Sequence, residues 1–138
     1  MMLRSCCLPL LAVALCSCVG RPPVLVAQAT AAAPGLLSPQ ATAPLVPATV
    51  FFAGRVASTQ ERNAGAVRLA SGALVIAVLV DTSGYSSDVK ERYQAYLLAE
   101  APLAIEGHTL PAGAYGFGFL AGDTFVVMDI GGHDLFTA

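Results

Sequence analysis

Tryptophan is absent from this chain of 138 residues, and only 12% of its residues are charged. Cysteine is confined to Cys6, Cys7, Cys16 and Cys18. Everything after residue 18 therefore lacks a disulfide framework, a thiolate zinc site and a cysteine nucleophile. Histidine occurs twice, at His108 and His133. That is too few imidazoles for a site built mainly from them. No G-x-S-x-G elbow is present. The longest apolar run near the N-terminus, residues 6–19, falls short of the ~20 residues that a membrane span needs. The length is too small for two ordinary domains.

What is present begins with an export pattern. Arg4 supplies a positive start, residues 6–19 supply an apolar core, and Ala27-Gln28-Ala29 is an A-x-A cleavage site. Residues 1–29 are thus expected to be a signal peptide. Leu15-Cys16-Ser17-Cys18 also resembles a bacterial lipobox, which implies lipidation at Cys18 and a membrane anchor. Residues 30–48 contain Pro34, Pro39, Pro44 and Pro47 and no charge. Proline at that density predicts an extended, disordered linker, on the order of 60 Å at full reach.

Residues 49–138 are expected to form a single β-rich domain. They hold five basic residues against nine acidic ones, a net of −4. An acidic domain without a basic patch argues against nucleic acid and against an anionic membrane surface as partners. Any membrane contact is left to the signal or the lipid anchor.

Thr49–Ala53 is short and β-favouring. Residues 55–65 are polar and end in Asn63-Ala64-Gly65, a turn signal. Ala70-Ser71-Gly72 is a hairpin connection. Ala73–Val80 carries no polar residue and many β-branched ones, which predicts a central strand covered on both faces. Residues 86–100 read two ways. The preferred reading is a short helix near 87–92 followed by a strand near 93–99, and the alternative is a helix over 87–100 in an α+β fold. Tyr115, Phe117 and Phe119 project to one face of a strand, with Gly116 and Gly118 on the other. Residues 125–130 and 135–137 are further strands. The expected fold is mainly β, a small antiparallel sandwich or partly open barrel.

Gly107-His108-Thr109-Leu110-Pro111-Ala112-Gly113-Ala114-Tyr115 resembles a G-x-x-L-P-A-G-x-Y segment of uncharacterised secreted bacterial β-domains. The resemblance covers residues 101–130. It implies a strand, a proline–glycine bend and a second strand, and it implies no activity.

Four features bear on chemistry. Asp81-Thr82-Ser83-Gly84 resembles the Asp-Thr/Ser-Gly motif of aspartic proteases, in which two carboxylates share a proton. Here Ser83 stands in the place of that family's glycine, and the plain alternative is an aspartate capping a turn. His108, His133 and Asp134 are the candidate metal ligands, without any signature spacing. Gly116 and Gly118 leave one strand face bare, a candidate binding face that an internal side chain would equally fill. Tyr85, Tyr93 and Tyr96 suit a binding surface or a half-buried sheet.

The sequence therefore points to an exported, periplasmic or extracellular accessory or binding module of the cell envelope. It is expected to be non-catalytic and to need no cofactor. Its partner would be an envelope protein or a small ligand. The alternative is a small hydrolase or metal-binding enzyme using Asp81, or His108 with His133.

Overall fold

A computed structural model describes residues 32–138. The signal peptide, its cleavage site and Cys18 lie outside the described residues. Ten strands occur in chain order: β1 Gly35–Leu36, β2 Thr49–Phe52, β3 Arg55–Arg68, β4 Leu74–Val80, β5 Ala95–Ala99, β6 Leu103–Ile105, β7 His108–Leu110, β8 Gly113–Leu120, β9 Thr124–Met128 and β10 Asp134–Thr137. Two short helices, α1 Pro39–Thr42 and α2 Ser87–Arg92, complete the set with a 3₁₀ turn at Ala43–Leu45. The fold is mainly β. Eight strands make one antiparallel sheet that is not closed into a barrel, in the order β1-β3-β4-β5-β8-β9-β10, with β2 also on β3. Strands β6 and β7 form a separate hairpin.

The expected β4 is central, between β3 and β5. Its β-branched run buries Val78 and Val80 on one face, while Leu79 on the other stays exposed. The 87–100 segment takes the preferred reading. Helix α2 stops because Tyr93 turns extended, with φ −103° and ψ 103°. Lys90 and Arg92 sit in its last turn, where cations favour the carbonyl end.

Strand β3 departs from expectation. Asn63-Ala64-Gly65 is not a turn but part of one strand of 14 residues. The register against β4 shifts between Thr59 and Ala64, so the polar stretch absorbs a bend. The first part of β3 pairs with β2, and the later part pairs with β4 and β1. The bend lays β2 over the sheet. Its Phe52 enters the main core with Val78, Tyr85, Tyr93, Val126 and Met128. The Ala53 N–H at its end donates to the Ile130 carbonyl, 2.8 Å away.

The opposite sheet face carries a second cluster, Leu97, Leu110, Tyr115, Val127 and Phe136, packed with Leu103 and Ile105 of the β6–β7 hairpin. Here the L-P-A-G-x-Y residues make a corner. Leu110 is buried, and the Tyr115 hydroxyl donates to the Pro111 carbonyl at 2.7 Å.

The expected linker at 30–48 is corrected over its described part. Residues 35–36 pair with β3, and the Leu37 N–H donates to the Ala66 carbonyl. Thr42 is almost fully buried. Pro39 and Pro44 permit this because they stand at helix starts, where a missing N–H costs nothing. Pro39 opens α1 behind the Ser38 cap, whose Oγ accepts the Ala41 N–H. Pro44 lies in the first turn of the 3₁₀ helix, and the Pro47 carbonyl accepts the Thr59 hydroxyl.

Candidate functional site

Asp81 follows the last residue of β4. Its Oδ1 accepts the Ser83 backbone N–H at 2.9 Å, and its own N–H donates to the Ser58 carbonyl at 2.9 Å. The aspartate therefore caps a tight turn. The Ser83 N–H is the main reason its carboxyl is held below the usual carboxylate range, with smaller help from the Ser83 hydroxyl and from Lys90. A carboxyl with a lowered native value stabilises the fold above the usual carboxylate range. That contribution is lost as pH falls through the lowered value. An NMR titration of the Asp81 carboxyl is expected to give a midpoint below that of an aspartate in an unstructured peptide. A midpoint at or above the peptide's would remove the Ser83 bond from the account.

Asp81 shares a cleft of about 340 Å³ with Arg55, Ser58, Ser83, Gly84 and Tyr85. The start of β3 forms one wall and the turn after β4 forms the other. The Asp81–Ser58 backbone bond ties them together. Tyr85 fixes the back of the cleft, because its hydroxyl donates to the Phe52 carbonyl at 3.0 Å and lies 3.3 Å from the Arg55 carbonyl. Burial raises the Tyr85 hydroxyl above its ordinary value, and the Arg55 charge opposes this. Among the described residues Arg92 pairs with Asp134, and the His133 ring contacts the Asp129 carboxylate. Arg55 and Asp81 thus bring opposite charges to one cleft without pairing with each other. Among the described residues Asp81 is the only acid lining it. One chain therefore does not assemble the two carboxylates that the protease motif requires.

The expected metal ligands do not form a set. His133 Nδ1 lies 3.1 Å from Asp129 Oδ2, and the His133 N–H donates to Asp129 Oδ1. Asp134 pairs instead with Arg92, and His108 stacks on Phe136 with ring centroids 4.2 Å apart. Among the described residues no three His, Cys, Asp or Glu side chains converge as a metal site would need. The candidate site at His108, His133 and Asp134 is corrected accordingly.

The bare glycine face is corrected too. It is filled from within. A Cβ on Gly116 would fall 2.3 Å from the Phe52 ring, and one on Gly118 would fall 2.2 Å from the Arg92 carbonyl oxygen. Phe52 of β2 and the end of α2 occupy the space that a ligand would need.

The chain matches no known protein family, no curated protein and no solved structure. Its function must be read from these contacts.

The tyrosine set serves the core more than a surface. Tyr96 donates to the Phe51 carbonyl at 3.1 Å, so Tyr85 and Tyr96 together hold β2 over the sheet. Tyr93 is fully buried, stacked on Phe52 at 3.8 Å, and its hydroxyl has no hydrogen-bond partner among the described residues. Burial raises it far above the ordinary tyrosine value. These contacts predict opposite results for one chemical change. Tyr85→Phe strands a buried carbonyl and should cost about 1–2 kcal/mol. Tyr93→Phe removes an unpaired buried polar group and should be neutral or stabilising by up to ~1 kcal/mol. Urea unfolding of both variants checks this, and a clear loss in Tyr93→Phe would mean that its hydroxyl has a partner.

Two features escaped the sequence reading. Arg55 looked like one charge in a polar stretch, and only the pairing of β3 with β4 brings it to the same cleft as Asp81. Ser87 and Lys90 stand at S-x-x-K spacing, yet both are exposed on α2 and no hydrogen bond joins them.

Proposed function

We propose that this domain is an exported accessory module of the cell envelope that binds a ligand without transforming it. The Arg55–Asp81 cleft is the observation that carries the reading. It offers charged and polar groups on tied walls, and its Asp81 carboxylate is already engaged by the Ser83 N–H. A fixed cleft of this kind loses little conformational freedom on binding. Export rests on the N-terminal pattern. Lipidation at Cys18 would hold the module at a membrane, and cleavage after Ala29 would release it.

The test is a screen of small polar fragments against the isotope-labelled mature protein, read by amide shifts. Shifts are expected at Ser58, Ser83 and Gly84. Silence at these amides across the screen would overturn the reading. So would turnover of a generic ester, peptide or phosphate substrate that disappears in Asp81→Asn, which would favour the hydrolase alternative.

A further inference from the structure

We infer that the Arg55–Asp81 cleft takes a small zwitterion, a molecule with one carboxylate and one ammonium group. The inference rests on the binding reading above and names its ligand class. Arg55 comes from the first residue of β3, and Asp81 from the turn after β4. The two line the same cleft and do not form an ion pair with each other. A simple anion would be drawn to Arg55 and repelled by Asp81. A simple cation would meet the reverse. A metal ion would find one carboxylate and no second His, Cys, Asp or Glu among the lining residues. A zwitterion satisfies both charges at once, its carboxylate on the guanidinium and its ammonium group on the Asp81 carboxylate.

The Asp81 carboxylate is well suited to this. Oδ1 is committed to the Ser83 N–H, which fixes the direction of Oδ2. Arg55 can offer paired N–H donors to a carboxylate. Ser58 adds a hydroxyl to the lining. The volume of about 340 Å³ stands near the lower end of the ~300–1,000 Å³ usual for ligand sites. That admits a molecule of amino-acid size rather than a long peptide. Both charges face water, so binding is expected to be weak, with a Kd of about 1 mM.

The experiment follows amide shifts of the mature protein with five probes. Glycine, β-alanine and γ-aminobutyrate carry both charges at increasing separation. Butyrate and butylamine each carry one. At least one zwitterion is expected to shift Ser58, Ser83 and Gly84 saturably and to bind about tenfold more tightly than either singly charged probe. Arg55→Gln should erase the advantage over butylamine, and Asp81→Asn the advantage over butyrate. Asn preserves the turn cap, so the second variant keeps the fold. Equal binding of all five probes would overturn the zwitterion and leave the cleft as a binding site. Silence with all five would also overturn it, and the fragment screen then decides whether the cleft binds anything.

Discussion

Gly118→Ala is expected to destabilise the domain by about 3 kcal/mol, the upper end of what overpacking usually costs. The added methyl would fall 2.2 Å from the Arg92 carbonyl oxygen and 3.3 Å from Gln94 Cδ. Neither neighbour can move freely. The Arg92 carbonyl belongs to the backbone at the end of α2. Gln94 is clamped to β8, since its Nε2 donates to the Phe119 carbonyl at 2.9 Å and its Oε1 accepts the Phe119 N–H at 3.2 Å. Relief requires α2 to lift from the sheet. Gly65→Ala provides the control, because nothing lies within 4 Å of its added methyl. It should change stability by no more than ~0.5 kcal/mol. Urea unfolding of the two variants gives the comparison. Similar small effects would show that α2 does not rest on β8.

Phe52→Ala should cost about 4 kcal/mol, in the range for removing a buried phenylalanine. Phe52 is completely buried. Its ring stacks on Tyr93, meets the edge of Tyr85 at 6.3 Å, and covers Gly116. Gly116→Ala alone would drive a methyl into that ring. Combining Gly116→Ala with Phe52→Leu should cost less than the two single changes together, with a coupling of about 1 kcal/mol or more. Strict additivity would show that the ring does not sit on Gly116.

Much of this fold was readable because its signals are local. The apolar run at residues 73–80, the Gly-containing turns at 70–72 and 121–123, and the alternation of Tyr115, Phe117 and Phe119 with Gly116 and Gly118 each report a strand or turn through its own residues. The same applies to the proline–glycine corner at Pro111–Gly113. Strand β3 was hidden because its polar residues face water along a bent strand, and Asn63-Ala64-Gly65 mimics a turn. The segment at 32–48 was hidden because its order depends on β3, which supplies the Ala66 carbonyl and the Thr59 hydroxyl. The candidate site followed the same logic. Asp81 stood out by its motif, but Arg55, which lines the same cleft, becomes visible only when β3 and β4 are side by side. The occupants of the glycine face, Phe52 and the Arg92 carbonyl, likewise come from distant positions.

The bond from Ala53 to the Ile130 carbonyl has a consequence for how the domain folds and breathes. Strands β3, β4, β5, β8, β9 and β10 are neighbours in nearly the order of synthesis, so most pairings close short loops. Joining β2 to the β9–β10 turn instead brings together residues far apart along the chain. Such closures bear more loop entropy and belong late in folding. The last contact made is a natural first one to open, and amide hydrogen at Ala53 should exchange with solvent well before that at Val78 in the sheet centre. Opening there would loosen Phe52 and, through the Tyr85 hydroxyl, the backbone of Arg55. The Arg55–Asp81 cleft and the β2 closure are therefore mechanically linked, and under the proposed binding reading occupancy of the cleft should slow exchange at Ala53.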